Sequence, residues 1–375
     1  MRIGYDAKRA YQNYTGLGNY SRDLLKSVLD IAPENDYFLY TPKITKIPSV
    51  KFIGQHNNVT VTTPKNQVDK TFKGLWRSIN LEKTLDQDHI DIFHGLSNEI
   101  PRKGSGSKIK YVVTIHDLIF KRYPRNYKAI DRRIYNTKFK YACKNSNRII
   151  AISEQTKRDI VEFYGIPEEK IEVIYQTCHE NFKKDYSNEI KIHIKEKFDL
   201  PDDFILNVGT IETRKNLYGL IQATLSMQNN LPIVVVGKKT KYYNFLKVQM
   251  QKLKIDPNRI IFLKNVSIEE LPAIYQMANV FVYPSHFEGF GIPIIEALHS
   301  GVPVITSNGG CFSEAAGSKS KFIDPDDPEE IGEAIDLVLS DTNLREEMIT
   351  SGKEYVKKFE PTILTDQLLN VYNNL

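Results

Sequence analysis

The sequence predicts an α/β protein of two domains, each a mostly parallel sheet covered by helices. Three observations carry this. Short apolar runs rich in β-branched residues alternate with segments of helical spacing along most of the chain. At 375 residues the chain exceeds one ordinary core, so two domains are expected. From Ala278 to Gly317 the order is strand, glycine-punctuated turn, helix and strand, a βαβ unit with ligand-facing loops at the carboxyl ends of its strands.

In the first half, Arg2–Tyr5 is a strand and Tyr14–Gly18 a loop, followed by a helix marked by Tyr20, Leu24, Leu25, Val28 and Leu29 that stops before Pro33. Phe38–Tyr40 is the next strand. Lys43–Lys73 is a polar surface excursion with a short strand at Val59–Thr62. Trp76–Leu85 reads as a helix, and Ile90–His94, Lys110–Ile115, Arg148–Ile152 and Lys170–Ile174 as strands. Ser153 caps a helix to Phe163. Cys178–Pro201 is charged and mixed, a linker with one short helix, which puts the boundary near Asn181–Lys195.

The second half restarts with a strand at Phe204–Val208 and a loop from Gly209 to Asn216. A helix at Leu217–Met227, a strand at Ile233–Val236, a helix at Tyr242–Leu253 and a strand at Ile260–Leu263 follow. Ser267 and Glu270 have capping-box spacing. Val280–Tyr283 and Val302–Ile305 are strands around a helix that Gly301 ends. Pro328 opens another helix, Leu344–Phe359 forms the next, and Leu364, Leu368, Leu369 and Tyr372 mark a last amphipathic stretch.

Composition excludes several classes. A net charge of +5 is too small a bias to imply nucleic acid. No apolar run approaches the ~18 residues of a membrane span, and Met1 runs directly into folded-looking sequence. Three scattered cysteines offer neither a disulfide framework nor a metal spacing. A cytoplasmic, reducing location is therefore expected. No GxxxxGK[ST], HExxH or CxxC occurs, so no metal is expected, and Gly16-Leu17-Gly18 lacks the third glycine of a dinucleotide fingerprint.

Several residues suit an anionic, sugar-bearing ligand. Arg214 and Lys215 follow a strand, where a planar fork and a point charge suit a diphosphate; the alternative is a solvated pair. Glu288 and Glu296 bracket the turn holding Phe290 and Gly291, where backbone approaches a ligand closely. His116 stands at a strand's carboxyl end before Asp117, placed for a substrate hydrogen bond or for packing; His94 has a similar position with a weaker claim. Gly16 and Gly18 either approach a ligand or form a tight turn. Lys121–Lys144 interleaves cations with Tyr123, Tyr127, Tyr135, Phe139 and Tyr141. It either lies against an anionic membrane surface or is a solvated basic helix with its tyrosines turned inward.

Glu288-Gly-Phe-Gly-Ile-Pro-Ile-Ile-Glu296, with Arg214-Lys215-Asn216, Val302-Pro-Val-Ile305 and Asp324-Pro325, resembles the large retaining glycosyltransferase family that includes bacterial mannosyl- and glucosyltransferases and sucrose synthase (glycosyltransferase family 4, glycosyl transferases group 1). The resemblance implies the GT-B fold, two Rossmann-like domains facing a deep cleft. Residues 1–185 would bind acceptor, with 361–375 packing back on them, and 196–355 would bind the nucleotide sugar. It implies that Arg214 and Lys215 hold the donor diphosphate, Glu296 the ribose hydroxyls, and Phe290 and Gly291 the sugar and phosphate through their backbone. Glu288 would face the transferred sugar, Val266 would lie by the nucleobase, Gly16 and Gly18 would match the flexible glycine loop, and His116 would contact the sugar. No metal or further cofactor is implied: a GDP- or UDP-sugar is substrate. GDP-mannose is the leading donor and a saccharide or lipid-linked saccharide the acceptor, in surface polysaccharide synthesis at the inner face of the cell membrane. A UDP-sugar-dependent glucosyl- or N-acetylglucosaminyltransferase, a sugar-nucleotide epimerase and a non-catalytic nucleotide-sugar-binding protein are the alternatives. Cys311-Phe312-Ser313-Glu314 departs from the family's usual small pair and Pro-Glu.

Overall fold

The apolar runs become strands of two sheets in which every pairing is parallel. The computed structural model describes residues 1–45 and 48–375. Lys46 and Ile47, inside the expected Lys43–Lys73 excursion, lie outside the described residues. The chain divides into two units, Met1–Thr177 with Phe359–Leu375, and Cys178–Lys358.

The first unit contains β1 (Arg2–Asp6), β2 (Asp36–Tyr40), β3 (Val59–Thr62), β4 (Ile92–Gly95), β5 (Lys110–Ile115), β6 (Arg148–Ala151) and β7 (Ile171–Val173). Their order is β3-β2-β1-β4-β5-β6-β7. The second unit contains β8 (Ile205–Val208), β9 (Ile233–Val236), β10 (Ile260–Leu263), β11 (Val280–Tyr283), β12 (Val304–Ser307) and β13 (Lys321–Ile323), in the order β10-β9-β8-β11-β12-β13. Strand order therefore reverses at β1/β4 and again at β8/β11. In such doubly wound sheets the crevice beyond the carboxyl ends of the strands, at the reversal, is where ligands bind.

Several expectations need correction. Gly16 and Gly18 are not in a loop but open the helix Gly16–Ile31. A Cβ on Gly18 would stand 1.9 Å from the Asn13 carbonyl oxygen, so the glycine permits the tight entry into this helix. The Trp76–Leu85 helix is interrupted: Trp76–Asn80 is a π turn and Leu81–Gln87 the helix proper. Lys121–Lys144 breaks at Pro124 into the helix Ile119–Arg122, a 3₁₀ turn and the helix Ala129–Asn145. The helix after β8 ends at Ala223, and β12 begins at Val304 because Pro303 has no N–H to give. The capping box is half made: Glu270 accepts the Ser267 N–H at 2.9 Å, but the helix itself starts at Leu271. The stretch read as linker belongs to the second unit. Phe182 is fully buried against Tyr275, and Gln276 binds both the Tyr186 N–H and the Lys184 carbonyl.

The last helix, Pro361–Asn373, is part of the first unit and buries Leu364, Leu368, Val371 and Tyr372 in a core shared with Leu25, Val28 and Leu29. It carries a polar strut. The Tyr372 hydroxyl donates to Tyr5 at 3.2 Å, so its oxygen accepts from His94 Nδ1 at 2.6 Å. His94 Nε2 then accepts from Thr114 at 2.9 Å, and Thr114 from Tyr20 at 2.9 Å. Both ring nitrogens of His94 are thus engaged, which is what makes its full burial tolerable.

Removing one link leaves a buried group unpaired, so Tyr372→Phe should destabilise the first unit by about 1–3 kcal/mol in urea unfolding. The pH dependence has a definite sign. Burial holds the His94 imidazole at about 3 and His116 at about 4, below the ordinary 6.5. The unfolded chain thus takes up more protons between pH 6.5 and about 4, and stability falls as pH falls through that window, by up to roughly 1.4 kcal/mol per pH unit per histidine. Flat stability from about pH 7 to about pH 5 would contradict the neutral, buried state of both rings.

Candidate active site

The loops that leave β8 and β11, the two strands at the second reversal, are stitched together. After β8 the chain forms a 3₁₀ turn at Thr213–Lys215 and enters the left-handed region at Asn216, φ 52°. Asn216 holds that turn by accepting the Gly219 N–H at 3.2 Å and donating to the Pro325 carbonyl at 2.6 Å. After β11, the His286 N–H donates to the Arg214 carbonyl at 2.9 Å, and the Ser285 hydroxyl oxygen lies 3.1 Å from the same carbonyl.

Glu288 is the centre of this junction. Its Oε1 receives Lys215 Nζ at 2.6 Å, Arg214 Nη1 at 2.7 Å, the Ser285 hydroxyl at 2.6 Å and the Tyr283 hydroxyl at 3.1 Å. Among the described residues these contacts leave its Oε2 without a protein donor. Arg214 also donates to the Phe287 carbonyl and pairs with Glu212 at 2.7 Å. Burial alone would push the Glu288 carboxyl up, but Lys215 and Arg214 outweigh it and hold the group at about 2. Burial pushes the Lys215 ammonium down, with Glu288 opposing. Arg214 is raised by Glu288 and Glu212 in spite of its burial. The buried Glu288 carboxylate and the Arg214 guanidinium thus favour each other's ionised forms.

Phe290 is buried, and Gly291 adopts φ 109°, a conformation a side chain rarely tolerates. That residue is the N-cap of the helix Ile292–His299. Glu296 lies on this helix and does not join the Glu288 cluster; its Oε2 accepts the Tyr275 hydroxyl at 3.0 Å. Val266 is half-buried beyond β10, in an open pocket of ≈ 380 Å³ with Gly237, Lys238, Lys239 and Asn265 from the ends of β9 and β10. Val266, then Arg214 and Lys215, then Glu288 therefore follow one another along the carboxyl edge of a single sheet.

His116 is placed in the first unit, beyond β5. Its Nε2–H donates to the Leu96 carbonyl at 2.9 Å, and its Nδ1 accepts from Gln176 at 3.2 Å. Tyr20 meets the ring edge-on with centroids 4.7 Å apart. Both nitrogens are engaged, which fixes the tautomer. Gly16, at the start of its helix, faces open space. Sequence reading missed Tyr283, Ser285 and Glu212. The Ser285-x-x-Glu288 spacing was the available signal, since serine three residues before a carboxylate is a local hydrogen-bonding pattern.

The family profile described as Glycosyl transferases group 1 matches residues 188–355, and that described as Glycosyltransferase Family 4 matches residues 34–178. The O-antigen chain mannosyltransferase B of Escherichia coli is 30% identical over 296 residues, 77% of this chain and 76% of that protein. The O-antigen chain mannosyltransferase RfbU of Salmonella typhimurium is 31% identical over 215 residues, 57% of each. Among solved structures, Anabaena Alr3699/HepE in complex with UDP and glucose superposes with a TM-score of 0.78 over the full length of both chains at 18% identity, a likeness of fold. The chain belongs to the glycosyltransferase family that these profiles describe and is an enzyme of GT-B fold.

Proposed function

We propose that this enzyme is a retaining, nucleotide-sugar-dependent hexosyltransferase that moves mannose from GDP-mannose to a saccharide or lipid-linked saccharide, in surface polysaccharide synthesis. The observation that carries the reading is the Arg214–Lys215–Glu288 cluster at the β8/β11 reversal. Mannose is supported by the O-antigen mannosyltransferases among the relatives. Family membership leaves the epimerase and the non-catalytic binding protein without support.

In this reading Arg214 and Lys215 take the charge that develops on the departing diphosphate. They are held in place before the substrate arrives, which is what makes such donors effective in a transition state. Glu288 presents Oε2 towards the transferred sugar. Glu296 binds the ribose hydroxyls, and Val266 lies by the base. The backbone at Phe290 and Gly291 meets sugar hydroxyls and phosphate. In the first unit, His116 and Gly16 are assigned to substrate contact. The departing phosphate takes the acceptor hydroxyl's proton on the face it leaves, so configuration is retained.

Peripheral contact with an anionic membrane is part of the proposal. Among the described residues no helix is long and apolar enough to cross a membrane. The helix Ala129–Asn145 exposes Ile130, Ile134 and Tyr135 beside the exposed cations Arg133 and Lys140. Its Phe139 is buried, and Lys138 is paired with Glu99.

Steady-state kinetics separate the roles. Arg214→Ala or Lys215→Ala should lower kcat by roughly 10²-fold. E288Q should depress kcat more than it changes donor KM, whereas E296Q should raise donor KM by roughly 10- to 200-fold with kcat little altered. Unchanged kinetics in all four variants would remove the proposed site. In a stabilisation and slow-hydrolysis screen, GDP-mannose should outperform UDP-glucose and UDP-N-acetylglucosamine; a UDP-sugar leading instead would replace the donor. Flotation should occur with anionic but not neutral liposomes and weaken at high salt. Equal flotation on both, or none, would show the basic helix to be ordinary surface.

A further inference from the structure

The first unit has its own strand reversal, at β1/β4, and the charges there do not balance. Asp6 ends β1, and Glu99 follows β4. Both carboxylates are already taken. Arg77, buried, donates to Asp6 through Nε at 2.7 Å and to Glu99 through Nη1 at 2.7 Å. Lys138 adds a second contact to Glu99 at 3.1 Å. Lys8 and Arg9, which leave β1 directly after Asp6, are half-buried and form no ion pair among the described residues. Four cations thus meet two carboxylates, an excess held partly out of water at the place where this sheet topology binds ligands. Lys8 is held below the ordinary lysine range by burial and by the nearby charges of Arg77 and Arg9, with Asp6 and Glu99 opposing more weakly. Arg9 is also close enough to lower His116.

We propose that Lys8 and Arg9 bind a phosphate group carried by the acceptor, with Arg77 as the buried strut that spends Asp6 and Glu99 and keeps the two cations free. Half-buried cations without counter-ions are an unfavourable arrangement unless an anion completes it. A phosphate supplies several acceptor oxygens to a guanidinium fork and an ammonium at once. The inference rests on the glycosyltransferase reading for the word acceptor; the anion site itself stands on the charge imbalance.

The test is calorimetric titration with inorganic pyrophosphate in an R214A/K215A background, which removes the cations proposed for the donor. Pyrophosphate should still bind this protein, K8Q/R9Q added to it should weaken binding about tenfold or more, and the charge-keeping K8R/R9K should retain it. Rescue by K8R/R9K excludes misfolding as the cause. Loss of all binding with R214A/K215A alone, or binding indifferent to K8Q/R9Q, overturns the inference. If R214A/K215A changes pyrophosphate binding not at all while K8Q/R9Q does, this site stands and the donor assignment fails. Co-sedimentation with phosphatidic acid vesicles, sensitive to K8Q/R9Q and absent with phosphatidylcholine, identifies a lipid-borne phosphate; pyrophosphate binding without co-sedimentation identifies a soluble one.

Discussion

A carboxylate taken out of water sets the terms for the second unit. Burying an ionised group costs several kcal/mol unless partners replace its hydration, and Glu288 has four donors converging on one oxygen. Those donors come from the turn after β8 and from the end of β11 with its following turn, far apart in sequence. The pairing therefore does more than stabilise a charge: it ties the turn after β8 to the turn after β11 and sets two cations in fixed positions between them. Lys215 and Arg214 in turn share Glu288 as a common carboxylate. The three groups are one unit, and none has its present properties alone.

The same strand order produces the same opportunity in the first unit with a different electrostatic outcome. There the buried strut is a cation, Arg77, and the two acids it engages are consumed by it. What remains beside β1 is Lys8 and Arg9. Further along that sheet His116 is buried, neutral and locked between the Leu96 carbonyl and Gln176. The C-terminal helix supports this region from behind through Tyr372, His94, Thr114 and Tyr20, whose ring packs against His116. A change in the last turn of the chain thus has a physical route to a side chain after β5.

How far the sequence was legible follows from the range of each interaction. Strands such as Ile233–Val236 and Val280–Tyr283 are continuous apolar runs, and burial on both faces writes them plainly. Gly291 was legible because a local backbone conformation demanded it. Strand order was not, since pairing β1 with β4 rather than β3 is decided by long-range packing. The first loop was misread because two glycines look like a turn, whereas Gly18 serves a close approach to the Asn13 carbonyl inside a helix. Arg214, Lys215 and Glu288 were visible as candidates, but their convergence on one oxygen atom was not. Tyr283 and Ser285 looked like the end of a strand. Arg77 carried no local signal, because its partners Asp6 and Glu99 lie 71 and 22 residues away.

In the proposed reaction Glu288 is ionised and shares Lys215 and Arg214 with the donor diphosphate. An NMR titration of the Glu288 side-chain carboxyl, assigned by comparison with E288Q, tests it most directly. In the free enzyme the carboxyl should stay ionised down to about 2. With a nucleoside diphosphate bound, the two cations turn part of their charge to the ligand and a new anion arrives, so the titration should move upward. A Glu288 that titrates near the ordinary carboxylate range in the free enzyme, and ignores the nucleotide, would contradict the account.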